Sequence, residues 1–481
     1  MITVNRVLPS EPIRSLDDYQ ADGGFAGLDA ARAAGGDTVI AELEASGLRG
    51  RGGAGFPTGR KWRAVAANRS DIEPTTVVVN GAEGEPGTYK VRAILAANPY
   101  QVVEGALIAA VVVGADRIVF GVKPSSGAPV DRLRAAIDEI SRAGHDGGVR
   151  LEVFEGPSEY LYGEETALLE AIEGRPPLPR VAPPYRRGVD ELGEPDASGL
   201  PAGVDMAGPD DETDAAPALV DNVETLANVP AIVAKGAGWF REMGTDASPG
   251  TIVCTVVGST NTAGVGEVAM GTTLREVLDE IGGGARAGRT VVAVAPGVSA
   301  ALLPASALDT PLTYEAMVAA GSGLGSCGFT VFDDEDDLVA AVAGTSRFLA
   351  VESCGQCTPC KQDGRAIADL LASLARSELT DDELGSLQDR VRTVADEARC
   401  FLASQQEAVV RSLLETFPEA VEAHFDGRAE PAEPLLVAEL VEVREGRAVI
   451  DERHRDKQPD WTYDAEDSGQ SPADRLDEKR A

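Results

Sequence analysis

Four cysteines, Cys354, Cys357, Cys360 and Cys400, stand in the spacing C-x2-C-x2-C-x39-C with no histidine near the run. Thiols packed this closely are poor disulfide partners for one another, because a bridge needs particular Cα separations and paired side-chain directions. Three sulfurs within seven residues, with a fourth delivered from a distance, fit the all-thiolate ligation of a [4Fe–4S] cluster. Zinc held by four cysteines remains open, although it ordinarily uses two separated CxxC pairs. An iron–sulfur centre would move single electrons. Cys254 and Cys327, outside the constellation, fit small buried core residues. Only three histidines exist, His145, His424 and His454, and none stands beside a candidate nucleophile or metal ligand. Histidine-based hydrolysis and mononuclear histidine metal sites are therefore hard to build from this chain.

A second candidate site is the glycine-dense stretch from Gly47 to Trp62, GLRGRGGAGFPTGRKW. Glycines let backbone amides approach a phosphate or a planar ring without Cβ clashes. Arg49, Arg51 and Lys61 add positive charge suited to an anionic cofactor. The residues before it, Thr38–Ser46, have a helical pattern, so the loop lacks the strand that precedes an ordinary dinucleotide fingerprint. Two carboxylate-bearing turns follow. Asn80-Gly-Ala-Glu83-Gly-Glu85 closes a strand, the end at which open α/β sheets place ligands. Gly163-Glu164-Glu165-Thr166 opens a helix, where the two glutamates either cap the helix or help hold a hydroxyl-rich ribose or ribityl chain.

These residues need a scaffold. Strands over 75–80, 117–122 and 149–154 alternate with helices over 102–114, 131–142 and 164–173, which predicts a parallel, helix-covered sheet. A Gly/Pro/Asp-rich stretch over 188–217 has no periodicity and is expected to be a loop insertion. From Gly250 a smaller α+β unit is expected: strands over 251–257, 266–270 and 290–294 and a helix over 274–281. Beyond the cysteine triplet the pattern is helical, with capping boxes at Thr380–Glu383 and Ser404–Glu407 that predict two helix starts. Cys400 then falls in the link between helices. From about Glu430, and more strongly from Asp451, the chain is polar and charged and is expected to be poorly ordered.

The 481 residues suffice for two to four domains, and 43% hydrophobic content is ordinary for globular protein. A net charge of −36 argues against nucleic acid or an anionic membrane surface as partner. No apolar run reaches the roughly 18 residues of a membrane span, and no signal-peptide pattern opens the chain. A cytoplasmic protein, peripheral to a membrane at most through other subunits, is the expectation, with the thiols kept reduced for metal.

Taken together, GLRGRGGAGFPTGRKW, NGAEGEPGTYK, EYLYGEETALLEAIEG, DNVETLANVP and ESCGQCTPC resemble the NADH-binding flavoprotein component of respiratory complex I. They also resemble the flavin subunits of NAD-linked hydrogenases and formate dehydrogenases. The blocks run in the same order over roughly residues 40 to 425. The resemblance implies a multi-domain α/β architecture: a Rossmann-like FMN/NAD domain over 1–245, a β-grasp domain over 246–335 and a helical iron–sulfur domain over 336–430, ahead of the polar tail over 431–481. It implies FMN, a [4Fe–4S] cluster and NAD(H) as substrate. Gly50, Arg51, Gly52, Lys61, Asn80, Glu83, Tyr160, Gly163, Glu164, Asn222 and Thr225 would then form the FMN site. Gly53, Gly55, Phe56, Glu85, Glu165 and Tyr185 would lie on the NADH side, and the four cysteines would hold the cluster. Catalysis would be cofactor-based, with no side-chain base.

The chain departs from the family pattern at several places. Ala82 replaces an Asp and removes an acceptor near the flavin; Tyr162 replaces a Cys. Ala64 stands where an aromatic would stack on adenine, and Asp221 replaces the first Asn of the family's NNVET. The implied activity is NADH oxidation through FMN and the cluster to partner iron–sulfur subunits of a quinone-reducing complex, among them a small [2Fe–2S] subunit and a larger one. Two alternatives accompany it: a diaphorase subunit of a soluble hydrogenase, formate dehydrogenase or bifurcating enzyme, and a non-catalytic electron-transfer subunit that has lost NADH binding.

Overall fold

The computed structural model describes residues 3–69, 74–180 and 217–478. Tyr185 and nearly all of the loop expected over 188–217 lie outside the described residues.

Strands β1 (Thr76–Gly81), β2 (Arg117–Val122), β3 (Arg150–Glu155) and β4 (Ala218–Asn222) form a parallel sheet in the order β3-β2-β1-β4. Val77, Val78 and Val79 are fully buried, as a strand covered on both faces requires. The helix Pro99–Val113 is apolar almost all round and sits inside this core. Gly105 lets the helix Val223–Lys235 pack directly on it, since a Cβ there would stand 2.1 Å from the Leu226 carbonyl oxygen. Strand β4 and that helix were not visible in the sequence. The strand is short and ends in Asp221-Asn222, and the helix contains Pro230.

The second unit is a five-stranded mixed sheet ordered β6-β5-β9-β7-β8. Its strands are β5 (Thr251–Gly258), β6 (Gly264–Ala269), β7 (Val291–Pro296), β8 (Leu303–Pro304) and β9 (Gly328–Asp333). Only the β5–β9 pair is parallel. The helix Leu274–Gly282 starts at a capping box between Thr273 and Glu276 and packs its apolar face on the sheet. Cys254 and Cys327 are both fully buried in this unit.

Helices Leu338–Glu352, Thr358–Ala375, Asp381–Thr393, Leu402–Thr416 and Pro418–Phe425 make the third unit around Ile367, Leu371, Val410 and Leu413. The first of these was missed because it is buried on every side and shows no 3.6-residue stripe. Thr380 and Glu383 form the expected capping box. Ser404 does not cap: its helix begins at Leu402, because Leu402 and Ala403 are drawn into the core and Glu407 pairs with Arg411 instead.

The segment expected to be poorly ordered folds back onto the protein. It forms a hairpin of β10 (Leu440–Arg444) and β11 (Arg447–Ile450), then a strap ending in the helix Pro472–Glu478. Composition misled here because a few anchors fix an otherwise polar stretch: His454, Lys457, Asp460 and Trp461 are all buried. Among the described residues no single helix is long and apolar enough to cross a membrane. The helices Lys90–Ala97 and Pro99–Val113 qualify only as a pair bent by 98°, and both are largely buried in the core.

Candidate cofactor and electron-transfer site

Sheet order places the first half of the site. Strands β2 and β4 flank β1 on opposite sides, so the carboxyl ends of β1 and β4 form a topological switch point, where open α/β sheets bind ligands. Asn80 and Asn222 are register partners at those two ends. Asn80 donates from Nδ2 to the Gly163 carbonyl at 2.8 Å, tying the first strand end to the turn Tyr160–Gly163. Asn222 accepts the Glu224 amide at 3.0 Å and opens the following helix.

The glycine-rich loop lies over this switch point. The helix Gly36–Ser46 stops at Gly47, left-handed at φ +69, so a helix and not a strand leads into the loop. The Gly50 amide donates to Phe56 O at 2.8 Å and the Thr58 amide to Leu48 O at 2.9 Å, which closes the loop on itself. Gly52 approaches Asn222 so that an added Cβ would stand 3.4 Å away, and the Arg51 amide donates to Thr225 Oγ1 at 2.8 Å. The loop and the opening of the helix Val223–Lys235 are thereby joined. The Arg51 side chain is buried and turned towards the second sheet unit, donating to Tyr314 Oη at 3.0 Å and to Pro249 O at 3.2 Å. Its Nε is buried without a partner.

Lys61 donates to Val220 O at 2.6 Å and pairs with Glu165 at 3.0 Å. Burial works against its charge, but Glu165 and Asp221 hold its pKa above the ordinary lysine value. Asp221 accepts from the Trp62 indole at 2.6 Å. Burial pushes its pKa up to about 6 against the pull of Lys61 and Trp62. The extra negative charge thus points at Trp62 and Lys61. Tyr162 is fully buried against Gly156, its hydroxyl without a partner, and burial raises its pKa.

The glutamates divide by role. Glu83 accepts the amides of Val91 and Arg92 at 2.9 and 3.3 Å and the Arg92 guanidinium at 3.2 Å, anchoring the start of the helix Lys90–Ala97. Glu164 caps the helix Glu165–Ile172 through Thr166 N, Thr166 Oγ1 and Ala167 N, and burial raises its pKa. Glu165 is half-exposed beside Lys61. Glu85 accepts from Tyr160 Oη and from Val298 N at 2.8 Å, and its pKa is raised by burial. Gly53 (φ +126) approaches Gly325, and Gly55 (φ +66) packs on the Tyr314 ring; Phe56 stacks under Arg60. Sequence reasoning missed the support beneath the loop: Lys90 donates to Arg51 O at 2.5 Å and to Glu224 at 2.7 Å, and Glu224 accepts Val253 N at 2.8 Å. A buried ion pair 134 residues apart in sequence leaves no local signal.

The second half of the site is the thiol pocket. Cys354 follows the helix Leu338–Glu352, Cys357 caps the helix Thr358–Ala375, Cys360 lies in its first turn, and Cys400 precedes the helix Leu402–Thr416. All four line one small cavity with Leu161, Pro179 and Arg399. No group of three or more His, Cys, Asp or Glu among the described residues closes on a single metal ion. Burial raises the thiol pKa values of Cys354 and Cys400 and pushes Cys360 up to about 11. An all-sulfur set in an apolar pocket is the donor chemistry an iron–sulfur cluster needs, since bound metal deprotonates the thiols outright. The switch-point loop likewise suits a phosphate-bearing ring cofactor, through dense glycines that permit close backbone approach and through the Lys61 ammonium.

A parallel-sheet nucleotide site joined to an all-cysteine pocket defines an oxidoreductase component that carries electrons through bound cofactors. A family model described as the Nuo51 FMN-binding domain matches residues 43–231. A second, the NADH-ubiquinone oxidoreductase-F iron-sulfur binding region, matches residues 340–424. The chain is 36% identical over 429 residues to the F subunit of NADH-quinone oxidoreductase of Streptomyces coelicolor, covering 87% of this chain and 90% of that one. It is 34% identical to the NADP-reducing hydrogenase subunit HndC of Solidesulfovibrio fructosivorans, covering 87% and 82%. A crystal structure of NAD+-reducing [NiFe]-hydrogenase in the H2-reduced state superimposes with a TM-score of 0.69 at 34% identity. That match covers 81% of this chain and 62% of the hydrogenase chain, so this protein spans under two thirds of that one. The chain belongs to the family of NADH-quinone oxidoreductase F subunits. Its cofactors are FMN and a [4Fe–4S] cluster.

Proposed function

We propose that this protein is the NADH-oxidising electron-input subunit of a multi-subunit quinone-reducing complex, delivering electrons to iron–sulfur partner subunits that include a small [2Fe–2S] protein and a larger one. When bound, FMN takes electrons from NADH in pairs and the cluster takes them singly. The observation that carries this reading is that one short turn serves both halves of the site. Gly163 accepts from Asn80 at the switch point, while Leu161, two residues earlier, lines the thiol pocket.

In this reading the backbone of Gly50, Arg51 and Gly52, together with Lys61, Asn80, Tyr160, Gly163, Asn222 and Thr225, cradles the flavin, while Glu83 and Glu164 brace the turns beside it. Gly53, Gly55, Phe56, Glu85, Glu165 and Tyr185 face the nicotinamide nucleotide. Cys354, Cys357, Cys360 and Cys400 hold the cluster. Tyr160 positions the junction: its hydroxyl meets Glu85 and lies 3.2 Å from Gln405 Nε2, on the helix that Cys400 precedes. The mixed sheet over 246–335 is read as a β-grasp domain, supported by its parallel β5–β9 pair and the helix Leu274–Gly282 packed on it. The full division is 1–245, 246–335, 336–430 and 431–481, and the described part of the last stretch is the hairpin and strap. A cytoplasmic subunit, peripheral to the membrane through its partners, follows from that assignment.

A diaphorase subunit of a soluble hydrogenase is the second reading, favoured by the hydrogenase relatives. The site would be the same and only the accepting subunit would differ. Anaerobic purification, iron and flavin analysis, and a visible spectrum before and after NADH test the proposal. Bound FMN and about four iron atoms per chain, both bleached by NADH, are expected. Iron-free protein, or flavin that NADH leaves oxidised, refutes it.

A further inference from the structure

Residues 451–478 lie beyond both matched family regions, yet they are fastened to the cysteine loop at several independent points. Glu352, at the end of the helix that leads into Cys354, is buried and accepts from Lys457 Nζ at 2.7 Å and from His454 Nε2 at 3.1 Å. Its other oxygen accepts the Tyr160 amide at 2.9 Å, so the strap also reaches the turn beside the flavin site. Lys361, next to Cys360, donates to Pro459 O at 2.6 Å and to Ser353 O at 2.8 Å. The Trp461 indole donates to Val351 O at 3.0 Å, and its ring joins the apolar cluster that contains Cys354 and Cys360. The Ala473 amide donates to Cys354 O at 2.9 Å, and Ser471 sits so close over Gly355 that a Cβ there would stand 2.3 Å away. At the outer edge Asp467 pairs with Arg365 at 3.0 Å.

These contacts converge on the chain from Val351 to Gly355 and on Lys361 beside Cys360. Cys354 and Cys360 are 8% and 7% exposed, whereas Cys357 and Cys400 are more open. Lys457 and Glu352 also neutralise one another in a buried setting, which fixes the strap in one register, since displacing it would leave an unpaired buried charge.

We propose that residues 451–478 are an intramolecular cover for the iron–sulfur site, sealing its Cys354–Cys360 side against water and dioxygen. The proposal rests on the assignment of the cluster to these four cysteines. A cover of this kind opens by local unfolding, and the rate at which oxidant reaches the cluster follows the population of the open form.

The test uses the full chain with its cofactors and follows the decay of iron–sulfur absorbance and the loss of iron in air, with FMN content as the internal control. Trp461→Ala removes the apolar anchor and should accelerate cluster decay about tenfold or more, with FMN content unchanged. Asp467→Lys turns the outer pair with the half-exposed Arg365 into repulsion and should accelerate decay about fivefold. It decides the matter if Trp461→Ala fails to fold. Decay at the unaltered rate in folded variants overturns the cover while leaving the electron-input assignment intact. Absence of iron from the unaltered chain overturns that assignment and the cover with it.

Discussion

Asp221→Asn should stabilise the protein at neutral and alkaline pH and lose that advantage as the solution is acidified. Asp221 is only 6% exposed and accepts from the Trp62 indole at 2.6 Å. Burial raises its pKa from 3.8 to about 6, even with Lys61 and Trp62 favouring the ionised form. A raised folded-state value means that ionisation costs stability. The cost is absent below the unfolded value, grows between that value and about 6, and is complete above it. A difference of about two units corresponds to about 3 kcal/mol at full ionisation. An Asn oxygen can still accept from Trp62, and Lys61 keeps Val220 O and Glu165, so both existing donors retain partners. Denaturant midpoints of the cofactor-free chain, measured from about pH 4 to about pH 8, should show a gain for Asn of up to about 3 kcal/mol at the upper end and almost none at the lower. A gain independent of pH, or one that grows on acidification, would refute the argument. Release of Lys61 from a neighbouring carboxylate should also tighten FMN binding above about pH 6, measurable by flavin fluorescence titration.

Cys357→Ala should abolish electron transfer to one-electron acceptors while leaving flavin reduction by NADH partly intact; the reverse pattern in stopped-flow spectra would contradict the division between flavin and cluster. Lys90→Met strands the buried Glu224 carboxylate under the glycine-rich loop and should cost about 3–5 kcal/mol, whereas Lys90→Met with Glu224→Gln should recover much of that loss. A double-mutant cycle in chemical denaturation measures the coupling. Gly55→Ala forces a Cβ to within 2.4 Å of the Tyr314 ring at φ +66, so the loop must move, and FMN retained after gel filtration should fall at least tenfold.

Much of the chemistry was legible because it lies in short runs. The cysteine spacing needs no tertiary information, since three sulfurs in seven residues restrict what can bind them. The glycine-rich loop and the two glutamate turns are similarly local, and the strand at 117–122 falls where hydrophobic patterning put it. What patterning could not reach are contacts made across the chain. Strand β4 pairs with β1 more than 130 residues away, and only that pairing creates the switch point at Asn80 and Asn222. Glu164 carried two readings in the sequence, and only its bonds to Thr166 and Ala167 show it capping a helix. The strap is the clearest case. Its composition favours solvent, but Lys457 and Trp461 find a buried carboxylate and a free carbonyl on a helix about 110 residues earlier. Which residues are available to hold cofactors was therefore legible in residue type and spacing, because both are local properties of the chain. How the two sites are joined, and which distant residues brace them, was settled by folding, because burial and long-range pairing exist only once the chain has closed on itself.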